Sequence, residues 1–191
     1  MFERYTKRAR NCIFFARYQS SQFGSPIIGA EYLLLGLVHE GKADVAAFLP
    51  EIRKWDSLRA EVEAHLPKGK KISTKVDLPL SIESKRVLAY GAEEATRLGD
   101  EKIRPEHLLI GLLREKGCFA AKLLKEHGAD LKRIREALKG AQSADEATPV
   151  YGMVSGHVIP GPPRAPSAVK PDSMRLQEWL KDLLSRLRAR R

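Results

Sequence analysis

An all-α fold is what this sequence predicts, with two like four-helix units packed as one domain, then a linker and a separate amphipathic helix. Three observations predict it. One long stretch recurs at a constant offset of 75 residues. Apolar residues recur at helical spacing, and cap and stop residues bracket the individual runs.

The repeat sets the frame, because a missed repeat miscalls a fold. GSPIIGAEYLLLGLVHE at 24–40 lies over GDEKIRPEHLLIGLLRE at 99–115 without a gap. Gly24, Ile28, Glu31, Leu33, Leu34, Gly36, Leu37 and Glu40 meet identical residues at Gly99, Ile103, Glu106, Leu108, Leu109, Gly111, Leu112 and Glu115. Upstream, in the same register, Thr6 falls on Ser81, Arg10 on Lys85, Ile13 on Leu88, Phe15 on Tyr90 and Phe23 on Leu98. Downstream the match loosens. The double unit is expected over 1–140, with its halves at about 1–67 and 80–140.

The first helix of each half opens at Thr6 or Ser81, both good N-cap residues, and stops at Gly24 or Gly99, the type favoured just past a helix end. In the second copy Ile82, Val87, Leu88, Ala92, Ala95 and Leu98 approximate a buried 3.6-residue stripe. The second helix starts near Ala30 and at Pro105, and Pro suits a first helical position. Its LLLGLV or LLIGLL run is apolar nearly all round and predicts the central buried helix of each half. Gly36 and Gly111 sit mid-helix at a cost of ~1 kcal/mol relative to Ala. Close helix approach is the favoured reason, with simple tolerance as the alternative. Shorter helices are expected at about 43–49 and 118–127, then 56–66 and 130–139, with 67–80 as a polar connector bracketed by prolines. A unit of this size has a marginal core alone, so the halves should stack.

Residues 141–172 are rich in Pro, Gly, Ser and Ala without apolar period and read as a flexible linker. Val150, Tyr151, Met153, Val154, Val158 and Ile159 make part of it more apolar than a spacer needs. Residues 173–191 are expected to form a basic amphipathic helix, with Leu176, Trp179, Leu180, Leu183, Leu184 and Leu187 on one stripe. That stripe has three destinations: the body of the domain, another chain, or an anionic membrane. A protein contact, including self-association, is favoured.

The formal net charge is +10. Residues 1–140 carry 26 Lys and Arg against 19 Asp and Glu, so most of the excess is diffuse, while 173–191 concentrate six cations against two acids. Nucleic-acid binding is the alternative function this charge raises, but no groove-reading motif accompanies it. Cys12 and Cys118 lie inside helical patterns, and Met1-Phe2-Glu3-Arg4 does not read as the opening of a signal peptide, so none is expected. A reducing, cytoplasmic setting with free thiols is expected. No apolar run reaches the ~18–20 residues of a membrane span.

Catalytic signatures are missing. There is no phosphate-binding G-x-x-x-x-G-K-[ST], no H-E-x-x-H, no C-x-x-C and no G-x-S-x-G. The five histidines form no i,i+4 ligand pair. The expectation is a non-catalytic protein without metal, cofactor or ATP. Glu31 and Glu106 fall in first helical turns, where a carboxylate suits the macrodipole with or without a ligand. Thr6 and Ser81 serve as caps on the same terms.

The paired motifs I-G-A-E-Y-L-L-L-G-L and I-R-P-E-H-L-L-I-G-L resemble the signature of the Clp amino-terminal repeat, close to I-G-T-E-H-L-L-L-G-L in ClpC-type unfoldases, and FERYTKRAR resembles their opening. The resemblance covers about 1–140 and implies a double Clp N-type domain, here without the ATPase modules that follow it in the unfoldases. It implies binding of adaptors, substrate segments or a Clp unfoldase in chaperone–protease quality control. It also implies recognition of phosphorylated arginine, with one pocket per repeat. Glu31 and Glu106 would then take the guanidinium, and Thr6 and Ser81 would offer a hydroxyl and helix-start N–H groups to the phosphate. Ala30 and Pro105 stand where the family has a small hydroxyl residue, and Tyr32 where it has His. The copy with Glu106 and His107 keeps more of the pattern.

Overall fold

The computed structural model describes residues 3–52 and 54–146, with side chains through Lys139. Eight α-helices follow in order among them: α1 (Lys7–Gln22), α2 (Ala30–Glu40), α3 (Lys42–Val45), α4 (Trp55–His65), α5 (Ile82–Arg97), α6 (Pro105–Arg114), α7 (Phe119–Glu126) and α8 (Leu131–Glu146). The stripe from Leu176 to Leu187 and the segment 147–172 lie outside the described residues.

Both first helices begin as their sequences dictate. Thr6 Oγ1 accepts the Ala9 N–H at 3.3 Å, and Ser81 Oγ accepts the Ser84 N–H at 3.1 Å. Both end in the same way. Gly24 and Gly99 take φ of +72° and +80°, and the following residue's N–H closes a six-residue loop, Ser25 to Ser20 at 2.9 Å and Asp100 to Ala95 at 2.8 Å. Gly24 has a second constraint, since a Cβ there would collide with the backbone of Gly69 and Lys70 in the connector.

The central helices are α2 and α6. Tyr32 through Val38 and His107 through Leu113 are buried without a break. Each contributes leucines that are out of water (Leu34 and Leu37, Leu109 and Leu112), and burying one such side chain is worth about 2 kcal/mol. The mid-helix glycines have the close-approach role. A Cβ on Gly36 would overlap the Cys12 carbonyl oxygen of α1, and one on Gly111 would overlap the Val87 carbonyl oxygen of α5. Cys12 and Val87 are themselves 75 residues apart, so the two α-hairpins share one packing register.

Some expectations differ in detail. The third helix of the first half is only α3 plus a 3₁₀ turn, Ala46–Phe48. Pro50 pushes Leu49 out of the helical region, to φ −129° and ψ 56°, and ends the run. Helix α8 continues to Glu146, into the segment read as linker. Ile82, placed on the buried stripe of α5, is 67% exposed because it stands in the first turn, ahead of the packed part of the helix.

Two isolated parallel bridges tie the halves together: Tyr5 with Ile103, and Ile28 with Leu80. In the first, the Thr6 N–H donates to the Ile103 carbonyl at 2.9 Å and the Ile103 N–H donates to the Arg4 carbonyl at 2.7 Å. In the second, the Ser81 N–H donates to the Ile28 carbonyl at 3.0 Å and the Ile28 N–H donates to the Pro79 carbonyl at 2.8 Å. Shifting every residue of one bridge by 75 gives the other. The halves are thus related by a pseudo-two-fold, and the segment that enters each first helix pairs with the loop that enters the other half's second helix.

Candidate functional site

The bridges decide which residues meet. They set the start of α1, with Thr6, beside the start of α6, with Glu106. By the same symmetry they set the start of α5, with Ser81, beside the start of α2, with Glu31. A pocket contained within each repeat was expected; the structure instead assembles each cap–glutamate pair from both repeats. The cause is the exchange of entry segments.

At the first site, the loop before α6 is fixed by a small polar network. The Arg104 N–H donates to His107 Nδ1 at 3.0 Å, and the Arg104 guanidinium donates to Asp100 Oδ2 at 2.9 Å. His107 is wholly buried, and its Nε2 lies 3.0 Å from the same Asp100 oxygen without the alignment of a hydrogen bond. Burial pulls the imidazole pKa down against the pull of Asp100, so this histidine is a neutral helix-capping group and does not face outward as a ligand.

Glu106 follows directly. Its Oε2 is removed from solvent and has no hydrogen-bond partner, and among the described residues it makes no ion pair. Burial pushes its pKa up; its own N–H and Arg104 oppose that, while Asp44 and Asp100 reinforce it. Opposite it, α1 has no acidic residue in its first turn. The Arg8 guanidinium there donates to both Asp44 oxygens at 3.0 Å and also feels the Glu106 charge. The exposed Arg8–Asp44 ion pair and the Glu106 carboxylate thus lie within electrostatic reach of one another at a helix start.

The second site has the same backbone and different charges. Ser81 Oγ donates to Ser84 Oγ at 3.2 Å, and Ser84 Oγ donates to the Ile28 carbonyl at 2.7 Å. Glu31 is half-buried and turned back toward Gly29, its Oε2 2.8 Å from where a Cβ on that glycine would stand. It too makes no ion pair among the described residues. The counterpart of Arg8 is Glu83, whose pKa is held below the usual range chiefly by its own backbone N–H, with the nearby Ser81 hydroxyl and Arg86 acting in the same direction. The counterpart of Asp44 is Phe119, stacked on His65 with centroids 3.7 Å apart and planes 8° from parallel.

The sequence had singled out Glu31, Glu106, Thr6 and Ser81, but not Arg8, Asp44, Arg104 or Glu83. The Arg8–Glu83 mismatch was readable within the repeat. The link from Arg8 to Asp44, 36 residues away, had no local signal. Nor had a groove of about 320 Å³ walled by Tyr5, Leu80, Leu88 and Ile103 with Arg4 and Lys85. Both cysteines are buried and unpaired, and burial raises their thiol pKa values. Among the described residues no cluster suits a metal, and no helix is long and apolar enough to cross a membrane.

The model of the Clp repeat (R) N-terminal domain matches residues 4–127 and 85–156. The chloroplastic chaperone protein ClpC of Pisum sativum is 37% identical over 160 residues, 82% of this chain and 17% of that protein. ClpC2 of Arabidopsis thaliana, also chloroplastic, is 40% identical over 137 residues, 71% of this chain and 14% of that protein. The chain therefore spans less than a fifth of the length of these relatives. Among solved structures, the N-terminal domain of the chaperone ClpD from Arabidopsis thaliana superposes with a TM-score of 0.58 at 27% identity, over 75% of this chain and 97% of that one. The Hsp104 N-terminal domain of Candida albicans, at 17% identity and a TM-score of 0.59 over 74% of this chain and 93% of that one, shares the fold.

Proposed function

This chain belongs to the Clp repeat N-terminal domain family, and from that premise we propose that it is a non-catalytic recognition domain. It binds adaptor or substrate segments for a Clp chaperone system, and phosphorylated arginine is the mark it reads. The observation that carries this reading is Glu106: a buried carboxylate oxygen with no partner, within electrostatic reach of the Arg8 guanidinium at the acid-free start of α1. A phosphoarginine side chain has the complementary order of groups. Its guanidinium suits the fork geometry of a carboxylate, and its phosphate suits Arg8 and helix-start N–H donors. The apolar groove beside Tyr5 and Leu80 offers contact area for the rest of a bound segment. Two buried, unpaired cysteines suit a reducing compartment, which for this chain we take as the cytoplasm.

Calorimetry with free phosphoarginine tests the reading. Binding that Glu106→Ala weakens at least tenfold supports it; an unaltered isotherm refutes Glu106 as the ligand. Titration of a nonspecific DNA duplex at low salt separates the alternative raised by the net charge of +10, because backbone-driven binding is strongest there.

A further inference from the structure

Internal duplication supplies a control inside one molecule, since two sites with one backbone differ only in their side chains. We infer that the sites are not equivalent: the one built from Thr6, Arg8 and Glu106 accepts a phosphorylated guanidinium, and Glu83 closes the one built from Ser81 and Glu31 to it. The inference rests on the reading above and adds which site works and which residue decides.

Three differences at matched positions point the same way. Two residues past the cap, the first site has the cation Arg8 and the second has the anion Glu83. The first turn of α1 carries no acid and Thr6 caps only its Ala9 N–H, whereas the first turn of α5 carries Glu83, whose carboxylate is held by its own N–H at that helix start. An incoming phosphate needs the same donors and would meet a like charge on them. On the guanidinium side, Glu106 has Asp44 as a second carboxylate, while Glu31 has the stacked ring of Phe119 at the matched position. Arg86 offsets the Glu83 charge only in part. It stands 4.0 Å from Glu83 and is committed to Glu115 through bonds of 2.7 and 2.9 Å.

The experiment is calorimetry of the full chain with free phosphoarginine, comparing wild type, Glu83→Arg, Arg8→Glu and Glu31→Ala. Wild type is expected to take one equivalent. Glu83→Arg, which gives the second site the cation of the first, is expected to raise this to two. Arg8→Glu should lose at least tenfold in affinity, and Glu31→Ala should leave the wild-type isotherm unchanged. Arg8 is exposed and Glu83 half-exposed, and equal melting temperatures would verify that their variants fold. Two equal sites in the wild type, or uptake that Glu31→Ala removes, overturns the inference and leaves phosphoarginine recognition standing. No uptake by wild type and by Glu83→Arg alike overturns both.

Discussion

Replacing Glu94 by Gln tests what locks the second repeat. Glu94 is 2% exposed and accepts from Arg97 at 2.7 Å, from Arg114 at 3.0 Å and from Arg135. The arginines belong to α5, α6 and α8, so one carboxylate ties three helices. Breaking a buried ion pair from one side costs about 3–5 kcal/mol. The three arginine side chains remain 25% to 49% exposed and can rehydrate, which brings the expected cost to about 2–3 kcal/mol. The isostere fits, because the matched position in the first repeat is Gln19, itself buried. At about 3–4 °C per kcal/mol for a domain of this size, the melting midpoint at pH 7 should fall by roughly 6–12 °C. The pH dependence gives the sign. Burial alone would raise the Glu94 pKa, but Arg135 and Arg97 outweigh it and hold the pKa below the ordinary value. A depressed pKa contributes stability that is complete above the unfolded glutamate pKa of about 4.3 and is lost as pH falls through the folded value. The gap between wild type and Glu94→Gln should therefore close in acid. Thermal melts by circular dichroism at pH 7 and pH 3 decide it. Midpoints within 2 °C at pH 7, or a gap that persists in acid, would refute the reasoning.

Other outcomes follow from the same packing. Gly111→Ala drives a methyl group into the Val87 carbonyl, and overpacking of this kind should cost about 1–3 kcal/mol despite the helix propensity of Ala, whereas Gly99→Ala, with open space but φ of +80°, should cost about 1 kcal/mol; urea melts compare them. Glu106→Gln should raise the melting midpoint while weakening phosphoarginine binding, because burial lifts the Glu106 pKa and the charged form is a liability in the unliganded fold; a lowered midpoint contradicts this. Cys12 and Cys118 should resist an aromatic disulfide reagent at pH 8 until urea is added, and rapid native labelling would contradict their burial.

Much of the fold was legible because its signals are local. Thr6, Ser81, Gly24, Gly99 and Pro105 each act through the backbone of their own helix end, and the Gly36–Gly111 pair marks the same close crossing in both halves. The broken third helix followed from Pro50, whose effect on Leu49 is also local but was outweighed by the apolar run before it. The site was half legible. Its carboxylates and caps stand in the repeat, yet their partnership depends on backbone bonds between Thr6 and Ile103 and between Ile28 and Ser81, and no periodicity reports a contact across that separation. The link from Arg8 to Asp44 was invisible for the same reason.

The exchanged entry segments carry a consequence for how the domain comes apart. A chain severed within 67–80 yields two fragments, each holding one carboxylate and the cap that belongs to its twin's cleft. Neither fragment alone would keep an intact cleft. Mixed together they should regain both at once, so recovery of ligand uptake would report docking of the fragments. In the unbroken chain, a ligand clamped at the Thr6–Glu106 cleft would resist the parting of the whole double unit.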